Sequence, residues 1–137
     1  MRTTLVITLL LSLTQFASSQ VMCKEQKKSF AHFANLLALE GNAVLEVNPH
    51  PELAEYGQVA VKISFPAWVQ LTQVMDVVEN VENKFGGVRQ TMSWRINAEI
   101  EGWITYNAVV ELYANQPFLV ILLFIPVTNE LYLITYL

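Results

Sequence analysis

Few residues in this chain could do chemistry, and they are scattered. Two histidines, one cysteine and one carboxylate set on an apolar stripe are the candidates. His32 falls on the polar side of an amphipathic stretch, beside Lys28 and Asn35, and His50 sits between Pro49 and Pro51. Neither has the HxxxH or HExxH spacing that puts two imidazoles on one face around zinc. Glu46, His50 and Glu52 are near enough in sequence to meet a cation, and no metal is expected there. Cys23 has no second cysteine to pair with inside the chain, so it stays free or bonds to another chain. As a nucleophile it would lack a fixed base. As a lipid acceptor it would follow Gln20, Val21 and Met22, which are not the small residues that such a cysteine requires. No GxSxG, P-loop, CxxC or Gly-rich dinucleotide fingerprint occurs. No cofactor is implied.

Glu82 is the acid that stands out. On a helical wheel it falls between Met75 and Val78, inside an apolar stripe. Burial there would disfavour its charged form, which is how a general base or acid is made within an apolar pocket. The simpler role is structural: one turn from the helix end, Glu82 can reach solvent or pair with Arg89 or Arg95. The aromatic residues Trp68, Trp94, Trp103 and Tyr106 are the candidate ligand-binding set, and their periods equally suit a core.

Positioning these residues takes two helices and a sheet. Phe30, Phe33, Ala34 and Leu37 recur at three- and four-residue steps, which predicts an amphipathic helix over about 24–40, ended by Gly41-Asn42. Residues 43–65 are ambiguous. Ala43–Val47 suits a helical turn or a short strand, and Val59, Val61, Ile63 and Phe65 alternate as a half-buried strand. Pro66 suits the first turn of a helix. Trp68, Leu71, Val74, Met75, Val78, Val81 and Phe85 then predict a helix over 66–85, stopped by Gly86-Gly87. Beyond the glycines the period becomes two. Val88, Met92, Trp94, Ile96, Ala98 and Ile100 predict one buried face of a long strand up to Gly102. Three more strand-like runs follow at 103–113, 118–127 and 131–137. Their short connections suit antiparallel hairpins.

The expected fold class is therefore α+β: two amphipathic helices on a curved, mainly antiparallel sheet of four to six strands, ending in a four-stranded meander. The run FLVILLFIPV, Phe118–Val127, is apolar on both faces. One helix layer covers one face of a sheet, so the other face needs a cover. The first helix, a second copy forming a homodimer, or a protein partner would each serve.

The opening MRTTLVITLLLSLTQFASSQ has one basic residue, an apolar run from Leu5 to Leu11, and Ala17 and Ser19 before Gln20. That is the pattern of a secretory signal. It assigns residues 1–19 to a signal peptide and 20–137 to a single domain, secreted or periplasmic. The run is too short for the roughly 20 apolar residues of a transmembrane helix, so no membrane span is expected in the mature chain. Eight basic against twelve acidic side chains give a net charge of −4. Nucleic acid is disfavoured as a partner on that ground.

The order of these elements, with a helix ending in Gly41-Asn42, a second ending in KFGGVRQ and a meander containing GWITYNAVVELY, resembles a known group. It is similar to small exported domains of unknown function in the cone-shaped nuclear-transport-factor-two-like superfamily, which is loosely related to cystatin-like folds. The resemblance implies a curved sheet wrapped around helices, with a cavity at the open end. Members of that superfamily include isomerases, cyclases and non-catalytic binding or dimerisation modules, so fold alone does not choose among them. The expected function is an exported, non-enzymatic module that binds a small apolar ligand, a protein, or its own copy through the sheet. A cavity enzyme of isomerase or cyclase type using Glu82 is the first alternative. A cystatin-like protease inhibitor is the second, although GQVAVK at Gly57–Lys62 is at best a degenerate inhibitory loop and reads more simply as a strand.

Overall fold

The computed structural model describes residues 23–49, 52, 57–100, 102–114 and 116–136. Residues 1–19, expected to be a signal peptide, the expected cut before Gln20, and His50 lie outside the described residues.

Helix α1 runs Lys24–Glu40 and buries Phe30, Phe33, Ala34, Leu36 and Leu37, leaving His32 exposed. Cys23 is its N-cap residue, exposed and free, and its backbone N–H donates to Gln26 Oε1 at 2.9 Å. The Gln26 amide in turn donates to the Gln116 carbonyl at 3.1 Å, tying the start of the helix to the sheet. At the other end, a Cβ on Gly41 would overlap the ring of buried Phe65, so glycine is what leaves room for that ring.

The ambiguous stretch is a hairpin. β1 (Val44–Val47) pairs antiparallel with β2 (Gln58–Ser64), with Val44 opposite Ser64. β2 is flanked on its other side by the last strand, so Gln58–Lys62 belongs to an inner strand, as the alternation of its residues suggests.

Helix α2 spans Leu71–Phe85, five residues shorter than expected at its start. The Val69 N–H closes a turn on the Pro66 carbonyl at 3.1 Å, and Gln70 is extended, with φ −112° and ψ 169°. Pro66 therefore opens a turn and not the helix. The buried stripe is Val74, Val78 and Val81, while Trp68, Met75 and Phe85 fall outside it and are exposed. Removing the first turn takes Trp68 off the helix and centres the stripe on the valines.

After Gly86 and Gly87, both at positive φ, the chain forms β3 (Val88–Ile100), β4 (Trp103–Leu112), β5 (Phe118–Ile125) and β6 (Glu130–Tyr136). Each pairs antiparallel with the next, and β6 then accepts β2. The result is one open six-stranded sheet in the order β1-β2-β6-β5-β4-β3.

Period two divides β5 between the two faces. Val120, Leu122 and Phe124 join both helices in the main core, and Ile121, Leu123 and Ile125 form a second cluster with Ala60, Val109, Tyr132 and Ile134. Both sets are buried. Neither helix contributes to the second cluster, whose described edge is Met92, Ala98 and Trp103.

The expected single buried face of β3 is not what forms. Register shifts at Gln90/Met92, Met92/Arg95 and Ile96/Ala98 interrupt its pairing with β4. Each extra residue changes which face the following side chains meet. Trp94 consequently packs on the helix side, Met92 and Ala98 on the opposite side, and Ile96 is 64% exposed.

Candidate functional site

The four aromatic candidates do not converge on one cavity. Trp68 and Tyr106 share a cleft of about 700 Å3 at the start of α2, Trp94 lines a separate hollow of about 350 Å3, and Trp103 packs against the second cluster.

The larger cleft is built from the loop before α2, the first residues of that helix, Tyr106 of β4 and the β5–β6 turn. Asn129 holds these parts together. It adopts φ 54° in the turn, its carbonyl accepts the Phe65 N–H at 2.9 Å, and its side-chain amide donates to the Pro66 carbonyl at 2.9 Å. The Val69-to-Pro66 turn bond adds a third constraint. Trp68, two residues from Pro66, is thus carried on a loop fixed at both ends, and it is 73% exposed. The remaining walls include Val69, Leu71 and Pro126, with Gln70, Thr72 and Asn129 supplying amides and a hydroxyl. None of the described lining residues carries a charge.

The smaller hollow lies between α2 and β3. Met75, Glu79, Glu82 and Asn83 line it from the helix, and Gln90, Ser93 and Trp94 from the strand. Glu82 is half-buried, and its Oε2 accepts the Gln90 backbone N–H at 3.0 Å. Its neighbour in the sequence reading, Arg89, pairs instead with Glu111 across the β3–β4 ladder at 3.1 Å. The bond made by Glu82 fastens the end of α2 to the start of β3, a structural task that a carboxylate performs well because a charged acceptor strengthens the bond. The indole N–H of Trp94 is buried and meets no acceptor among the described residues.

Among the described residues no group of three or more His, Cys, Asp or Glu side chains could hold a metal ion. Glu46 is engaged by Lys62 at 3.4 Å, and Lys62 also reaches Glu130 at 3.4 Å. No described helix is long and apolar enough to cross a membrane.

Tyr106 and Trp68 were legible as candidates from residue type alone, whereas Gln70, Pro126 and Asn129 were not. Asn129 showed only as a turn residue in Thr-Asn-Glu. Its partner lies 63 positions earlier in the chain, a separation that leaves no local signal. No protein-family model, curated protein or solved structure gives a significant match to this chain.

Proposed function

We propose that this chain is an exported, non-catalytic binding module that takes its ligand in the cleft beside Trp68 and Tyr106. The observation that carries the proposal is the exposed indole of Trp68 on a loop held by three hydrogen bonds. Large aromatic side chains contribute most to folding when buried, and they dominate binding where a site presents them to a partner. A loop already fixed before binding also lowers the ordering cost that association would otherwise carry.

Proton transfer by Glu82 is the second reading, and one observation favours it: Glu79, Glu82 and Trp94 border the same hollow, and the buried indole N–H of Trp94 meets no acceptor among the described residues. Against it, the Glu82 carboxylate is already engaged by the Gln90 N–H. The sheet-face partner is not part of the proposal, because Leu123, Ile125 and Ile134 have no exposed surface in this chain.

A fragment screen followed by the indole N–H resonances of Trp68, Trp94 and Trp103 separates these readings. Hits should shift Trp68 and disappear in Trp68→Ala. Hits gathered on Trp94 would transfer the site to the Glu82 hollow and refute the proposal.

A further inference from the structure

Resting on the cleft proposed above, we propose that its ligand is a neutral saccharide. Four features of the cleft select that chemistry. First, no described lining residue is charged although the chain carries a net charge of −4, so phosphorylated, sulfated or cationic ligands would find no counter-charge among them. Second, the Trp68 indole is largely exposed at the cleft. The negative face of an aromatic ring attracts positively polarised edges, and the C–H face of a pyranose ring supplies such an edge. Third, Gln70, Thr72 and Asn129 stand around the same cleft with both donors and acceptors, which suits hydroxyl groups because each hydroxyl also does both. One Asn129 amide N–H is committed to Pro66, which leaves the second N–H to donate and the oxygen to accept. Fourth, Trp68 is 73% exposed, so a ligand resting on it keeps one side in water. A saccharide tolerates that, with an apolar ring face and a polar rim. A lipid does not, since its binding depends on removing apolar surface from water.

An extended proline-rich peptide is the competing occupant, because such segments also dock on aromatic grooves. It has less use for the amides and hydroxyl on one rim, and the structure favours the saccharide on that ground.

The test is a titration of the isotopically labelled full chain with maltotriose, cellotriose and chitotriose, and separately with an uncharged proline-rich decapeptide. The Trp68 indole and the Asn129 side-chain resonances report binding. At least one trisaccharide should shift both saturably, Trp68→Ala should weaken it roughly ten-fold, and Trp68→Phe should retain most of the affinity. Binding of the peptide with no response to any trisaccharide overturns the saccharide while leaving the cleft as the site. No response at Trp68 to any probe overturns the saccharide and leaves the cleft to be decided by the fragment screen, whereas saccharide binding unaffected by Trp68→Ala overturns both.

Discussion

Leu122 and Leu123 are adjacent on β5, and each has no exposed surface, yet they belong to different clusters on opposite faces of the sheet. Truncating either to alanine removes buried methyl groups from a packed site. Such changes cost about 2.7–5.0 kcal/mol, the transfer free energy plus a contribution from whatever cavity persists. If both faces are packed, Leu122→Ala and Leu123→Ala should each cost about 3–4 kcal/mol, with Leu123→Ala no milder than its neighbour. Leu119→Ala is the internal control. It lies on the same strand but is 41% exposed, and should cost less than about 1 kcal/mol. Urea unfolding followed by far-ultraviolet circular dichroism reads all three. With a slope of about 1.5–2 kcal/mol per molar, the two buried truncations should lower the midpoint by about 1.5–2.5 M at unchanged slope. A Leu123→Ala variant that unfolds with Leu119→Ala, while Leu122→Ala loses its full share, would refute the second cluster as a packed face. Both losses are a large part of the roughly 5–15 kcal/mol available to a domain, so the experiment needs a wild type in the upper part of that range.

Glu82→Ala should cost about 1–2 kcal/mol, since the Gln90 N–H loses a charged acceptor, and Glu82→Gln should recover part of it through the amide oxygen. Equal melting temperatures for wild type and Glu82→Ala would show that this tie contributes nothing. Gly41→Ala forces the new methyl against the Phe65 ring, itself packed edge-on to Phe124 at 6.4 Å, and should cost about 1–3 kcal/mol by thermal unfolding. Burial, with the negative charges of Glu130 and Glu46 nearby, holds the Tyr132 phenol above its ordinary value. The unfolded chain therefore loses that proton first. The Tyr132 contribution should be complete below about pH 10 and decline as pH rises beyond it, and Tyr132→Phe should remove that part of the decline in urea midpoints measured against pH.

The extent of α1 was legible because helical periodicity is local: Phe30, Phe33, Ala34 and Leu37 mark one face without reference to anything else in the chain. The four-stranded meander was legible for the same reason, from period two and short connections. The α+β class followed from those elements. Residues 43–65 could not be assigned because β1 is four residues long and becomes a strand through its ladder with β2, which is a tertiary event. The start of α2 was misplaced because Pro66 is compatible with a helix start and with a turn, and bonds from Asn129, far along the chain, accompany the turn. The face assignment of β3 failed at its bulges, which depend on pairing with β4 and leave no mark in an alternating pattern.

The candidate residues show the same division. Residue type marked Trp68, Trp94, Trp103 and Tyr106 as worth attention, and its place on the helical wheel marked Glu82. Which of them share a hollow was decided by backbone geometry: the turn that displaced Trp68 onto the cleft with Tyr106, the bulges around Trp94, and the two faces of the sheet that separate Trp103 from both. Composition and period describe what each residue meets along its own element. Only the folded chain, through contacts between residues dozens of positions apart, determines which elements bring their side chains to the same place.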